Sequence, residues 1–155
     1  MVRVQLDDVS KPSNHGLNPE SLTVEQRIAS GFILLDKPAG PTSHQIAAWV
    51  RDLLGLERLG HGGTLDPFAT GVLPLMAGKS MKLTKGILKT DKTYIAVLKF
   101  AQEINIDLLN DVAEKLTGRI YNVPPEISAV KVQVRTRKIY KFELIETLAR
   151  QAIVR

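Results

Sequence analysis

The stretch Gly60-His-Gly-Gly-Thr-Leu-Asp-Pro-Phe-Ala-Thr-Gly-Val-Leu-Pro74 is the most informative part of the sequence. Its glycines allow the backbone to approach a ligand closely, and they predict a long loop over residues 60–71 with at most a short strand at residues 64–65. One carboxylate, that of Asp66, lies inside the loop beside Pro67, which stiffens the chain. The residues therefore predict a loop that presents one candidate carboxylate, and they do not by themselves name a reaction.

Several common catalytic and metal-binding patterns are absent from the sequence. It contains neither the P-loop pattern nor the Gly-x-Ser-x-Gly elbow. The histidines at positions 15, 44 and 61 do not fall at metal-ligand spacing, and the lack of cysteine excludes disulfides, thiolate zinc sites and iron–sulfur clusters. Because Asp before Pro commonly begins a turn, a structural role for Asp66 stays open at this point, as does a simple hydrogen-bonding role for His61.

Length and composition are those of an ordinary globular domain. The chain has 155 residues, of which 44% are hydrophobic and 24% are charged. The longest apolar runs, at residues 32–35 and 72–77, are far shorter than the roughly 20 residues that a membrane helix needs. The N-terminus carries early acidic residues and no apolar core, unlike a signal peptide. We therefore expect a cytoplasmic protein with no membrane association.

Positive charge is concentrated in two stretches. The net charge is +5, from 21 basic and 16 acidic residues. Residues 79–99 contain six lysines and one acid, and residues 131–141 contain five basic residues and no acid. Clustered positive charge predicts a polyanionic partner, most often nucleic acid, although a solvated basic surface would have the same composition.

The periodicity of the apolar residues predicts an α+β fold. Residues 1–30 are rich in loop formers and predict a polar extension with one short helical turn at residues 22–28, so we expect the domain over residues 31–155. Apolar spacing then predicts strands at residues 32–35, 93–100, 130–134 and 140–144, and helices from Thr42 or Ser43 to Gly55, over 80–88, and up to Gly118. This irregular order favours a mixed, largely antiparallel sheet with flanking helices over a doubly wound sheet.

Four motifs in order resemble those of the TruB-type RNA pseudouridine synthases. The loop motif at residues 60–67, continued at 69–73, is similar to the catalytic motif of that family. The other three are Asp36-Lys-Pro-Ala-Gly-Pro-Thr-Ser-His44, Asp91-Lys-Thr-Tyr94, and Pro124-Pro-Glu-Ile-Ser-Ala-Val-Lys131 with Arg137 and Tyr140. The motifs cover roughly residues 30–146, so the resemblance implies the pseudouridine synthase fold, apparently incomplete.

Within the family, the chain resembles the archaeal box H/ACA guide-RNA (dyskerin-like) branch. The gap between Phe100 and the helix predicted at residues 107–117 is short, whereas bacterial tRNA enzymes usually carry an insertion there. The polar extension before Gly31 and the stretch at residues 135–140 also look archaeal or eukaryotic. The resemblance implies isomerisation of uridine to pseudouridine, in rRNA under a box H/ACA guide RNA, with small ribonucleoprotein subunits as partners and no cofactor or metal. The alternatives are a tRNA uridine-55-type synthase and an inactive RNA-binding or scaffold fragment.

The resemblance also implies roles for individual residues. Asp66 matches the catalytic aspartate, and attack at the sugar and attack on the base both stay open. His61 matches a residue that assists the flipping of the substrate base. Tyr94 matches an active-site tyrosine that can stack on that base, although its strand pattern equally suits a core residue. Lys131 is expected to contact RNA or the catalytic loop, with a solvated strand face as its alternative.

The remaining motif residues are expected to support the fold beside the site. They are Lys37, Pro38, Gly62, Gly63, Thr64, Leu65 and Pro67. The family has a further motif, Gly-Thr-Tyr-Ile-Arg, whose arginine pairs with the catalytic aspartate, and a PUA domain follows it in guide-RNA synthases. Both would lie beyond Arg155, so we expect the chain to be the N-terminal part of the catalytic domain and to be inactive alone.

Overall fold

The computed structural model describes residues 18–123 and 133–155, which form two compact units. The first unit ends at Thr90, and the second runs from Asp91 to Arg155. Every strand pair in the described residues is antiparallel, and helices accompany the sheets, which confirms the predicted α+β class. The division that we predict at residue 30 stays a prediction.

The first unit is built on a three-stranded sheet in the order β1-β3-β2. Its elements are α1 (Val24–Ser30), β1 (Phe32–Lys37), α2 (Ser43–Leu53), β2 (Leu59–His61), β3 (Gly71–Ala77), a 3₁₀ turn (Gly78–Leu83) and α3 (Thr84–Leu88). The central strand β3 buries Leu73 and Leu75, and α2 packs Ile46 and Ala47 against them. Helix α2 thus packs on one face of the sheet, and the loop between β2 and β3 extends from this packed sheet.

Helix α2 begins and ends where the sequence predicts. Thr42 is its N-cap: the Thr42 hydroxyl accepts a hydrogen bond from the Gln45 amide at 3.1 Å, and the Gln45 side chain accepts one from the Thr42 amide at 2.8 Å. This reciprocal pair satisfies two amide groups that a helix start otherwise leaves unpaired. Gly55 follows the helix with a φ of 61°, a left-handed conformation that favours glycine.

Two predictions in the first unit need correction. The short strand expected at residues 64–65 is wrong, because the strand lies at Leu59–His61, where it pairs with the end of β3. Residues 80–88 were expected to form one weak helix, and the segment instead begins as a 3₁₀ turn and becomes α-helical only at Thr84. Residues 62–70 are therefore left as a loop with no strand of their own.

The second unit contains two separate sheets. One has the order β4-β8-β7, and the other pairs β5 with β6. Its elements are β4 (Ala96–Lys99), α4 (Ile106–Leu116), β5 (Gly118–Asn122), β6 (Arg135–Ile139), β7 (Leu144–Leu148) and β8 (Gln151–Val154). Helix α4 buries Leu109 and Ala113, and the predicted end near Gly118 is confirmed by the C-cap at Thr117.

Strand boundaries in the second unit differ from the alternation in the sequence. The strand expected over residues 93–100 forms only at Ala96–Lys99, where β8 supplies a partner. The strand expected at residues 140–144 is wrong, because β6 ends at Ile139 and β7 begins at Leu144. Of the strand expected at 130–134, residues 130–132 lie outside the described residues, and residues 133–134 precede β6. Pairing to a neighbouring strand, which is β8 for β4 and β7 and β5 for β6, decides which residues become strand.

Candidate functional site

The loop between β2 and β3 is closed by its own backbone. At its start, the Gly62 amide donates a hydrogen bond to the Pro74 carbonyl at 2.8 Å. At its tip, the Ala69 amide donates to the Asp66 carbonyl at 3.0 Å. Pro67 follows Asp66, in the second position of the resulting turn, where its restricted φ is favourable. The loop thus contains a defined turn over residues 66–69.

Lys37 anchors this turn from the end of β1. Its side chain is completely buried, and its ammonium group contacts four backbone carbonyl oxygens. The distances are 3.0 Å to Pro38, 3.2 Å to Asp66, 3.3 Å to Pro67 and 2.9 Å to Ala69. An ammonium has three N–H donors, so one of them is shared between two carbonyls. A buried charge needs such partners, and the loop backbone supplies them.

The start of α2 holds the preceding part of the loop. The Ser43 hydroxyl, which is buried, accepts a hydrogen bond from the Leu65 amide at 2.9 Å and lies 3.1 Å from the Leu65 carbonyl, to which it can donate. The Gly40 amide donates to the Pro67 carbonyl at 2.7 Å. Residues 65–69 are therefore held by Lys37 at the end of β1, by Ser43 at the start of α2 and by Gly40 just before that helix.

The sequence analysis missed Ser43 as a loop contact, and one signal could have revealed it. Thr42 and Ser43 are consecutive hydroxyl residues, whereas one hydroxyl is enough to cap a helix. In the structure Thr42 caps α2, which leaves Ser43 free to serve the loop.

The Asp66 side chain is exposed, while its backbone carbonyl is hydrogen-bonded. Within the described residues its carboxylate has no hydrogen bond or ion pair, and only its carbonyl contacts Lys37 and Ala69. The loop consequently presents the carboxylate to solvent on a constrained main chain. Such an arrangement leaves both carboxylate oxygens available to a ligand.

His61 lies at the end of β2, beside the loop. Its Nδ1 contacts the Gly63 carbonyl, which is a hydrogen-bond acceptor. His61 also lines a cleft of about 240 Å³ together with six residues of α2 and β2. Those residues are His44, Ala47, Ala48, Arg51, Leu59 and Gly60. His61 therefore lies next to the loop. Its Nδ1 contacts the loop backbone, and Nε2 is the other ring nitrogen.

Gly62 has no room for a side chain. A Cβ atom there would lie 2.4 Å from Cγ2 of Ile87 and 3.4 Å from Cε of Met76. The other loop residues that we expected to support the site, Gly63, Thr64, Leu65 and Pro67, are part of the same loop. They lie near Asp66 because they are its neighbours in the sequence.

Two predicted site residues belong to the second unit and not to the unit that carries this loop. Tyr94 belongs to the second unit, just before β4, and its side chain is 54% exposed. Both roles weighed for Tyr94 stay predictions. Lys131 lies outside the described residues. The part of the chain that the structure describes contains no group of three or more His, Asp or Glu side chains that could hold a metal ion, and no helix in it is long and apolar enough to span a membrane.

Comparison with known families gives two matches along the chain. The sequence profile described as "TruB family pseudouridylate synthase (N terminal domain)" matches residues 51–151. A second profile, described as "DKCLD (NUC011) domain", matches residues 4–47. The first match contains the Asp66 loop, and the second contains Lys37 and Ser43.

Curated relatives are similar over nearly the whole chain. A protein of Pyrobaculum calidifontis named "Probable tRNA pseudouridine synthase B" is 45% identical over 99% of the chain and 46% of its own length. A protein of the same name from Methanothermobacter thermautotrophicus is 36% identical over 98% of the chain and 47% of its own length. The chain thus spans about half the length of these relatives.

Solved structures share the fold. A chain in the crystal structure of a Cbf5-Nop10-Gar1 complex superposes with a TM-score of 0.82 at 39% identity, over 92% of this chain and 44% of that one. A chain in the structure of an H/ACA RNP bound to a substrate RNA containing 2′-deoxyuridine gives a TM-score of 0.76 at 34% identity, over 92% of this chain and 44% of that one. In both cases this chain matches less than half of the longer solved chain.

Proposed function

We propose that this chain, which belongs to the TruB family of pseudouridylate synthases, isomerises uridine to pseudouridine in RNA with Asp66 as the catalytic group. The observation that carries the proposal is the exposed Asp66 carboxylate on a main chain that Lys37 holds through three loop carbonyls, those of Asp66, Pro67 and Ala69. The chain spans about half the length of its curated relatives, so the activity of the whole protein is part of this proposal.

The reaction needs a group like the Asp66 carboxylate. The N1–C1′ bond of uridine breaks, a C5–C1′ bond forms, the hydrogen on C5 leaves and N1 gains one. A carboxylate can attack the electron-poor sugar or base, or stabilise the charge that develops there. Either role requires a carboxylate that can approach the nucleotide without losing partners of its own. Asp66 meets that condition because its side chain has no partner among the described residues.

The target uridine has to leave its stack before it can react, and this costs a few kcal/mol. His61 would assist this step through Nε2, since Nδ1 is engaged with the Gly63 carbonyl. Tyr94 would stack on the flipped base, for which its exposed ring is suited. Lys131 would contact RNA phosphate, as its place in the basic stretch suggests. These three roles belong to the proposal together with that of Asp66.

The substrate class and partners follow from the likeness to guide-RNA enzymes. The solved structures to which the chain is similar contain Nop10, Gar1 or an H/ACA RNP with substrate RNA. We therefore propose that the substrate is rRNA and that a box H/ACA guide RNA selects the uridine. We propose small ribonucleoprotein subunits as partners and a cytoplasmic location. The second candidate is modification of tRNA, which the names of the curated relatives favour.

Release of tritium from RNA labelled with [5-³H]uridine tests the proposal, because the C5 hydrogen leaves during the reaction. The chain is assayed with guide RNA and archaeal Nop10 and Gar1, and separately with a tRNA transcript alone. A chimera, in which this chain replaces the matching segment of the Pyrobaculum calidifontis relative, is assayed in parallel. We expect the chimera to release tritium from the guided substrate.

Two outcomes separate the candidates. Release from the unguided tRNA alone would favour the tRNA function over the guide-RNA function. No release by the chimera from either RNA, under conditions in which the Pyrobaculum calidifontis protein is active, would contradict the proposal.

A further inference from the structure

The ribbon of β5 and β6 presents tyrosines and cations on one face. Its register pairs Arg119 with Lys138 and Tyr121 with Thr136. Because side chains alternate along a strand and directly opposed residues share a face, these four lie on the same side of the ribbon. Tyr140 follows the end of β6, and its ring lies 4.7 Å from the ammonium group of Lys138, so it borders that side. We call the surface formed by Arg119, Tyr121, Thr136, Lys138 and Tyr140 the tyrosine face.

The tyrosine face is exposed, whereas the opposite face is partly covered. The Tyr121 side chain is 82% exposed and that of Tyr140 is 63% exposed. Ile120 and Ile139, on the opposite face, are half-buried. The ribbon therefore directs its aliphatic residues inward and its two aromatic rings outward, although a tyrosine ring ordinarily contributes to stability by being buried.

The charges on the tyrosine face suit an anion. Arg119 and Lys138 lie directly opposite each other, and like charges in such a cross-strand pair destabilise a sheet. Neither strand contains an aspartate or glutamate that could offset them. An anionic ligand on this face would remove the repulsion. Lys138 is also placed 4.7 Å from the centroid of the Tyr140 ring, so cation and ring already share a surface.

The order of the groups along the ribbon is aromatic, cationic, aromatic. Tyr121 lies at one end, the pair of Arg119 and Lys138 follows, and Tyr140 lies at the other end. Tyr121 is paired with Thr136, which is four residues before Tyr140, so the two tyrosines lie at opposite ends of β6. Exposed rings that alternate with cations are what an unpaired nucleic acid strand requires, because its bases stack on the rings and its phosphates meet the cations.

We propose that the tyrosine face is a stacking platform for an unpaired segment of RNA, in addition to the site at Asp66. An RNA duplex would not use it in this way, since the faces of its bases are covered by their neighbours. The cations, with no acidic residue on either strand to offset them, favour RNA over a protein partner. The inference rests on the proposed RNA substrate, and it concerns binding rather than turnover.

Binding of fluorescein-labelled oligouridine to the full chain, followed by fluorescence anisotropy, tests the platform. We expect Tyr121→Ala and Tyr140→Ala each to weaken binding at least about fivefold, and each Tyr→Phe variant to bind within about twofold of the parent chain. Arg119→Gln is expected to flatten the dependence of log affinity on log salt by about 0.7, the contribution of one phosphate contact on single strands. Trp49→Ala, which removes a 58% exposed ring of the first unit, is the matched control and should leave affinity unchanged.

An RNA duplex of the same length is the second control. Circular dichroism establishes that each variant is folded before its affinity is compared. Unchanged affinity for oligouridine in folded Tyr121→Ala and Tyr140→Ala variants would overturn the inference and leave this face to a protein partner. The inference would also be overturned if the Tyr→Ala variants lost as much affinity for the duplex as for oligouridine. It would likewise be overturned if the Tyr→Phe variants lost as much affinity for oligouridine as the Tyr→Ala variants. Because the readout is binding, none of these results bears on tritium release, which tests the proposed function separately.

Discussion

The side-chain nitrogen of Lys37 lies 3.2 Å from the backbone carbonyl oxygen of Asp66. The residue that carries the proposed catalytic carboxylate is thus held by its main chain, and its side chain is left exposed. A carboxylate bound directly by the lysine would be positioned too, but its charge would be partly neutralised. The observed contact positions Asp66 without occupying the group that the chemistry uses.

Replacing Lys37 should loosen the loop. Lys37→Met keeps much of the side-chain volume and removes the donor, which leaves four part-buried carbonyl contacts unmade. We expect a loss of about 2–4 kcal/mol in the free energy of unfolding, measured with urea, and faster hydrogen exchange at the Ala69 amide. Lys85→Met, at an exposed lysine of α3, is the control and should change stability by less than about 0.5 kcal/mol. Equal stability of the two variants would contradict the anchoring role of Lys37.

Ser43→Ala should affect the loop, whereas Thr42→Ala should affect the helix. The first change leaves the Leu65 amide without its 2.9 Å acceptor, at an expected cost of about 1–3 kcal/mol. The second removes the N-cap of α2, at a cost of about 1 kcal/mol. Hydrogen exchange separates them: we expect the Leu65 amide to exchange faster in Ser43→Ala and at its original rate in Thr42→Ala. The same rate at Leu65 in both variants would show that Ser43 does not hold the loop.

Two glycine-to-alanine changes should alter the free energy of unfolding in opposite directions. In Gly62→Ala the new methyl would lie 2.4 Å from Cγ2 of Ile87, so we expect a loss of about 1–3 kcal/mol as α3 is displaced. In Gly86→Ala nothing lies within 4 Å of the added Cβ, and alanine is the better helix former, so a gain of about 0.5–1 kcal/mol is expected. Urea denaturation of both variants measures the difference. A stabilising effect of Gly62→Ala would mean that the packing of the loop against α3 is not as described.

Glu143 should titrate below its ordinary range. Hydrogen bonds from Arg155 and Lys141 lower the pKa of Glu143, the larger effect being that of Arg155. The Glu143 Oε2 atom lies 2.9 Å from Nε of Arg155 and 3.1 Å from Nζ of Lys141. Because the folded-state pKa is depressed, the stabilising contribution is complete above the unfolded-state pKa and disappears as the pH falls through the folded-state pKa.

Carbon-detected NMR titration of the Glu143 carboxyl measures this effect. We expect Arg155→Gln to raise the pKa of Glu143, and Arg150→Gln to leave it unchanged, since Arg150 instead contacts the Ala101 carbonyl. The same midpoint in the parent chain and in Arg155→Gln would show that the ion pair does not form in solution.

Local signals in the sequence predicted the elements that local interactions determine. The cap at Thr42, the stop at Gly55 and the end of α4 before Gly118 are set by neighbouring residues, and all three are confirmed. The resemblance to the TruB family, drawn from four short motifs, is confirmed by the family match over residues 51–151. Residue order along one loop was also enough to place Gly62 to Pro67 beside Asp66.

Long-range pairing could not be obtained in the same way. Alternation at Tyr140 to Leu144 indicated a strand, yet β7 begins only at Leu144 because β8 is its partner. The contact of Lys37 with residues about 30 positions further along the chain likewise depends on the antiparallel pairing of β1 with β3. Sequence analysis assigned Lys37 to the structure beside the site, but it could not reveal that the loop backbone is its partner.

The measurement that tests the account most directly compares Asp66→Asn with the parent residue in the chimera. Turnover is followed by tritium release, affinity by anisotropy on the same RNA, and stability by urea denaturation. Because the Asp66 carboxylate has no partner among the described residues, the account predicts a change in stability below about 0.5 kcal/mol, nearly unchanged affinity and no detectable tritium release. Turnover by the variant within about tenfold of the parent, a difference of roughly 1.4 kcal/mol in the barrier, would contradict the assignment of Asp66 as the catalytic group.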